Sequence, residues 1–128
     1  VPLKAGARRF LEYLKSNDIR TGIATSNSRE LAEAVLHAHG ITHMFDVILT
    51  SCDAKAGKPA PDVYLLAAER VAVSPNQCLV FEDVPMGILA GKNAGMEVCA
   101  VSDEFSRHQE SQKKQLADYF IQDYNELL

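Results

Sequence analysis

A doubly wound α/β domain on a parallel sheet is the fold class this sequence predicts. Two patterns carry the prediction: short runs that are apolar almost throughout, and helical stretches that alternate with them. The runs ending at Thr25, Thr50, Phe81 and Val101 lack the polar alternation of a half-solvated strand, so each is expected to be buried on both faces. Helical segments between such strands demand right-handed crossovers, which put helices over both faces of the sheet.

The elements follow in order. Leu3, Ala7, Phe10, Leu11 and Leu14 recur at helical spacing until Ser16-Asn17-Asp18 breaks the pattern. Arg20 to Thr25 is the first buried strand. Asn27 with Glu30 three residues on resembles a capping box, and Leu31, Ala32, Val35 and Leu36 form the apolar stripe of a helix that stops at Gly40. Val47 to Thr50 is the second strand, followed by the turn Ala56-Gly57-Lys58-Pro59-Ala60-Pro61. Next come a helix from Asp62 to Val73, a strand from Cys78 to Phe81, a helix from Met86 to Ala94 and a strand from Glu97 to Val101. The tail adds a helix over 109–116, a short strand over 119–121 and a last turn over 125–128.

The 128 residues suffice for one core domain, and 47% hydrophobic with 23% charged residues is the balance of a globular chain. Lys and Arg are scattered and the net charge is −4, which argues against a nucleic-acid footprint. No apolar run approaches the roughly 20 residues of a membrane span, so no membrane partner and a cytoplasmic location are expected. Cys52, Cys78 and Cys99 lack CxxC spacing and are expected as buried thiols rather than as a disulfide framework or zinc site. Because the chain opens on Val1 and not Met, a segment upstream of it is expected.

In open parallel sheets ligands bind beyond the carboxyl ends of the strands, so the residues that follow each apolar run matter most. Thr25-Ser26-Asn27-Ser28 offers hydroxyls, amides and a helix N-terminus, a setting that suits phosphate. Lys58, framed by Gly57 and Pro59, can deliver a point charge to the same anion. Glu82 and Asp83 are adjacent carboxylates at a strand end, the hard oxygen ligands that Mg²⁺ accepts. Each group alone has an ordinary explanation, as a helix cap or a solvated lysine. Three strand ends of one sheet presenting compatible groups together is the signal. Two weaker candidates are Arg29, as a substrate contact, and Asp53, as a reserve carboxylate.

The segments Ile23-Ala24-Thr25-Ser26-Asn27, Lys58-Pro59-Ala60-Pro61-Asp62, Glu82-Asp83 with Gly87, and Asn93-Ala94-Gly95-Met96 resemble motifs two to four of the haloacid dehalogenase superfamily. The texture is closest to the branch of beta-phosphoglucomutases and of phosphoglycolate and sugar-phosphate phosphatases. The resemblance implies a Rossmann-like core with Mg²⁺ as cofactor and a small phosphorylated metabolite, such as a sugar phosphate, as substrate. It implies that Thr25 and the Ser26 amide hold the transferring phosphoryl group with Asn27 beside them, that Lys58 neutralises it, and that Asp83 with Glu82 binds the metal. Hydrolase and mutase activity both stay open.

The resemblance also implies a nucleophilic aspartate, first in an Asp-x-Asp pair, which forms an aspartyl-phosphate while the second Asp exchanges protons. No Asp-x-Asp occurs in Val1 to Leu128. Residues 1–128 are therefore expected to be one core domain missing its first strand and its cap, with the sheet completed by an N-terminal fragment, by another copy or by closing on itself. The isolated chain is expected to be inactive, and an inactive phosphate- and magnesium-binding fragment or interaction module is the alternative function. Two rivals fall away. A receiver domain would place its acidic pair after the first strand and its lysine last, and neither GxGxxG nor GxxxxGK[ST] appears.

Overall fold

The apolar runs become five short parallel strands and the stretches between them become helices, in a computed structural model that describes residues 3–50 and 52–128. In chain order these are α1 (Ala7–Ser16), β1 (Gly22–Thr25), α2 (Arg29–Ala38), β2 (Val47–Thr50), α3 (Asp62–Val71), β3 (Leu79–Glu82), α4 (Pro85–Asn93), β4 (Glu97–Val101), α5 (Glu110–Leu116) and β5 (Tyr119–Ile121). Short 3₁₀ turns at Thr42–Met44, Pro75–Gln77, Glu104–Gln109 and Tyr124–Leu127 complete the connections.

Alternate residues of each strand serve opposite faces, as a sheet covered on both sides requires. Leu49, Val80, Val98 and Ala100 pack with Val63, Ala68, Ile88 and Ala90 of α3 and α4. Ile23 and Ile48 pack instead with Leu11 of α1 and Leu36 of α2, and Cys99 and Val101 pack with Phe81 and Tyr124. Ile88 and Val98 are fully buried, each contributing about 1.5–3 kcal/mol of transfer free energy.

The parallel sheet is divided. One ladder pairs β1 with β2, from Gly22 opposite Val47 to Thr25 opposite Thr50, and a second ladder runs β3-β4-β5. No ladder joins β1 to β3. Between them lies an apolar cavity of about 710 Å³, lined by Ile23 and Val80 of the two strands, Phe10 and Leu14 of α1, and Ala67 and Val71 of α3.

Several boundaries differ from the sequence reading. The first strand starts at Gly22, because Thr21 donates its backbone N–H to Asp46 (2.8 Å) and its hydroxyl to the Met44 carbonyl (2.6 Å). The cap of α2 is Ser28, whose hydroxyl accepts from the Leu31 N–H at 3.2 Å, while the Asn27 N–H goes back to Thr25 Oγ1 at 3.1 Å. Helix α3 stops at Val71 because Ala72 takes left-handed backbone angles. The expectation of three buried thiols fails in part: Cys99 is buried, Cys78 is half-buried and Cys52 is exposed, on the turn after β2.

Asp118 ties the second ladder to the helical layer. Its carboxylate accepts from both the Lys92 ammonium (2.9 and 2.8 Å) and the Val98 N–H (2.8 Å), and its own N–H donates to the Val98 carbonyl. The Lys92 ammonium and the Val98 amide hold this carboxyl below its ordinary 3.8, as the Lys4 ammonium does for Asp103 and the Thr50 amide for Asp53. A carboxyl whose folded pKa is depressed contributes stability that is complete above the unfolded value and lost as pH falls through the folded one. Thermal stability is therefore expected to hold above about pH 4 and to decline below it. Asp118→Asn should lower Tm at pH 7 and flatten that acid decline; an unchanged Tm with an unchanged acid slope would rule out this role.

Candidate active site

Parallel strands bring their carboxyl ends to one edge, and there the structure gathers six of the residues singled out for phosphate and metal, while Ser28 caps α2. Thr25 ends β1, Ser26 and Asn27 lead into α2, Lys58 comes from the loop after β2, Glu82 ends β3 and Asp83 follows it. These six line one cleft of about 440 Å³, joined by Lys4, Phe81 and Tyr124.

Glu82 sits at the centre of the polar contacts. It is only 8% exposed, and its Oε2 accepts from the Lys58 ammonium at 2.6 Å and from the Tyr64 hydroxyl. Lys58 also donates to the Ala24 carbonyl at 3.2 Å, with its ammonium 5.2 Å from the centre of the Tyr64 ring. Burying two opposite charges costs desolvation unless several hydrogen bonds and close geometry offset it, and this cluster supplies both. Burial, reinforced by Glu82, pushes the Tyr64 hydroxyl up, so it remains a donor at any ordinary pH. Gly87 makes the space. A Cβ at that position would lie 2.1 Å from the Glu82 carboxyl carbon.

Asp83 is more open, with its side chain 41% exposed and the Lys4 ammonium 4.0 Å from its carboxylate. Lys4 in turn donates to Asp103 at 2.7 Å and to the Ser102 carbonyl at 3.3 Å. Among the described residues no three His, Cys, Asp or Glu side chains gather as a metal cage. The cleft thus combines oxygen ligands, an ammonium, a hydroxyl and the amides of a helix entry, which suits a bound phosphoryl group.

Arg29 and Asp53 do not line the cleft. Arg29 donates to Asp53 and to the Ile48 carbonyl, both at 2.9 Å, and Asp53 also accepts from the Thr50 N–H at 2.7 Å, so the pair fastens the turn after β2. Tyr64 and Lys4 were missed from sequence. Tyr64 lies two positions past Asp62 of the Lys-Pro-Ala-Pro-Asp segment and could have been suspected; Lys4 stands in a stretch where only the apolar spacing is informative.

The sequence profile of haloacid dehalogenase-like hydrolases matches residues 1–95. The chain belongs to that family. It is 41% identical over 91 residues to the validoxylamine A 7'-phosphate phosphatase of Streptomyces hygroscopicus subsp. limoneus, a match covering 71% of this chain and 43% of the relative. Among solved structures it is similar to a CbbY variant from Rhodobacter sphaeroides in complex with xylulose-(1,5)bisphosphate, with TM-score 0.89, 30% identity, and 98% of this chain against 56% of the other. It is also similar to the beta-phosphoglucomutase of Clostridium difficile, with TM-score 0.83, 28% identity, and 98% against 52%. The chain spans less than half of the curated relative and little more than half of these structures.

The absent side chain at position 87 is what lets Glu82 pair with Lys58. Gly87→Ala should push that carboxylate out of place, lower stability by about 1–3 kcal/mol as overpacking does, and release the Lys58 ammonium. Urea unfolding reads the first effect; a variant as stable as the parent would show that the Glu82 pocket yields freely.

Proposed function

We propose that this chain supplies the phosphate- and magnesium-holding groups of an enzyme that hydrolyses or transfers the phosphoryl group of a small phosphorylated metabolite, a sugar phosphate by class. The observation that carries this reading is the convergence of Thr25, Lys58 and Asp83 in one cleft at the carboxyl ends of parallel strands. The relatives' names support the substrate class.

In this reading the Thr25 hydroxyl and the Ser26 N–H donate to the oxygens of the transferring group, with Asn27 beside them. Lys58 lies between the Ala24 carbonyl and Glu82, close enough to the same edge to neutralise charge on the phosphoryl oxygens. Asp83, with Glu82 helping, would hold Mg²⁺, which when bound offsets the negative charge of the phosphoryl oxygens. The nucleophile is a carboxylate from outside these 128 residues. It attacks phosphorus in line, the bond to the substrate's bridging oxygen breaks, a neighbouring acid protonates that oxygen, and water then cleaves the aspartyl-phosphate.

We also propose that residues 1–128 form one core domain that lacks a strand and a substrate-selecting cap. The open edges of β1 and β3, with an apolar cavity of about 710 Å³ between them, support a missing parallel strand. Seated there parallel to its neighbours, it would end beside Thr25 and Glu82, where the attacking carboxylate is needed. A cytoplasmic setting suits the three unpaired cysteines. No helix of the described residues is long and apolar enough to cross a membrane.

The test is a panel of phosphate esters assayed with the intact protein from which this chain comes, with and without magnesium. Magnesium-dependent release or transfer of phosphate is expected on at least one sugar phosphate, and none on any member would sink the reading. In the same protein Lys58→Met and Asp83→Asn should each cut kcat/KM by roughly a hundredfold or more, the scale of lost transition-state electrostatics. Residues 1–128 alone should bind phosphate without turnover. Steady turnover by the purified 128-residue chain would show that another of its carboxylates serves as nucleophile.

A further inference from the structure

A lysine buried to 0% exposure lies outside the segment that the family profile matches. Lys113, on α5, donates to the Val101 carbonyl at 2.7 Å and to Ser106 Oγ at 3.1 Å. Ser106, 2% exposed, donates its own hydroxyl to the Asp83 carbonyl at 2.7 Å. An ammonium is costly to desolvate, and an apolar side chain in its place would avoid that cost. Its location shows what it does.

Strands β3 and β4 are in register from Leu79 opposite Glu97 to Glu82 opposite Ala100. Asp83 and Val101 therefore stand side by side at the next level, where the ladder stops holding β3. The two carbonyls at that level are gathered by one ammonium, directly at Val101 and through the Ser106 hydroxyl at Asp83. Ser106 is placed for this by its backbone, which departs from helical angles in the middle of the turn Glu104–Gln109 (φ −117°, ψ 19°). Asp103 anchors the start of the same turn, accepting from the Phe105 N–H at 3.2 Å and from Lys4 at 2.7 Å. The relay is thus a polar tie from the end of β4 to the Asp83 backbone, while Lys4 meets the Asp83 side chain.

We infer that Lys113, acting through Ser106, is a positioning pair for Asp83: it fixes where the peptide at the end of β3 stops and so where the Asp83 carboxylate projects into the cleft. This rests on the reading of Asp83 as a magnesium ligand. Residues that orient a metal ligand typically change metal affinity by about ten- to a hundredfold when removed, and that is the effect expected here.

The experiment uses the intact protein from which this chain comes, isotope-labelled for NMR and titrated with magnesium chloride in the presence of inorganic phosphate. The Asp83–Val84 peptide signals report the Ser106 hydrogen bond, and the Asp83 side-chain carboxyl carbon reports the metal. Ser106→Ala, a small change that spares the buried ammonium, should shift the peptide signals before any metal is added and weaken magnesium binding about ten- to a hundredfold. Lys113→Met should do the same, with Lys113→Arg restoring part of the loss. Ser106→Ala that binds magnesium as tightly as the parent, while Asp83→Asn abolishes binding, overturns the positioning role and leaves the metal reading standing. Should the Asp83 carboxyl of the unaltered chain ignore magnesium altogether, the metal reading fails and the positioning role falls with it.

Discussion

The buried pair of Lys58 and Glu82 is the contact on which the two halves of this molecule depend. Lys58 comes from the β1-β2 half and bonds the Ala24 carbonyl of β1, whereas Glu82 ends β3 in the other half, so the 2.6 Å contact spans a sheet that no ladder joins. Helix α3 works at the same seam. Its Tyr64 reaches Glu82, and its Val63 and Ala68 share one apolar cluster with Leu49 of β2 and Val80 of β3. On the opposite face Phe10 of α1 meets Phe81 of β3 with ring centres 5.4 Å apart and Tyr124 at 5.6 Å. Apolar burial above and below, with charged pairs at the edge from Lys58 to Glu82 and from Lys4 to Asp83 and Asp103, takes the place of a strand-to-strand ladder between the halves.

The same pair explains why the polar groups of the cleft tolerate burial. A lone carboxylate at 8% exposure would pay a large desolvation cost, and a lone ammonium likewise. Together with Tyr64 they form a satisfied network, and among the described residues no buried side-chain nitrogen or oxygen is left without a partner. Lys113 follows the same rule, since its ammonium donates to the Val101 carbonyl and to Ser106, although burial still pulls its pKa down against the attraction of Asp83, Asp103 and Glu110. Asp83 differs from these. It stays substantially open at the rim of the cleft.

What was legible in the sequence follows a physical line. Runs buried on both faces announce themselves by composition, so Val47–Thr50, Glu97–Val101 and Tyr119–Ile121 match the expected strands residue for residue. Chemistry at strand ends is legible too, because fold class alone says where Thr25, Lys58 and Glu82-Asp83 must project. Groups that act across long sequence separations are not. Lys4 meets Asp103 across 99 positions, and Lys113 looks in sequence like one more surface lysine in Gln112-Lys113-Lys114. The choice of Ser28 over Asn27 as helix cap was equally hidden, because both side chains can accept the same kind of bond and only the path of the chain out of β1 decides between them.

The division of the sheet bears on both stability and chemistry. An edge strand normally protects itself with charge, a bulge or a proline, yet the facing edges here carry Ile23, Ala24, Val80 and Phe81, with no proline in β1 or β3 and their one charge, Glu82 at the end of β3, already paired with Lys58. Leu79 is 48% exposed although it begins a strand of the apolar core. Such edges are built for pairing. Helices α1 and α3 already cover the cavity from the two faces, so a strand entering it would gain hydrogen bonds on both sides and apolar cover on both faces, the environment of a central strand in a parallel sheet. Its carboxyl end would then stand at the level of Thr25 and Glu82, beside the turn that follows β1 and the Lys58 ammonium. In the proposed reading, the geometry that leaves the sheet open also sets where the attacking carboxylate would arrive.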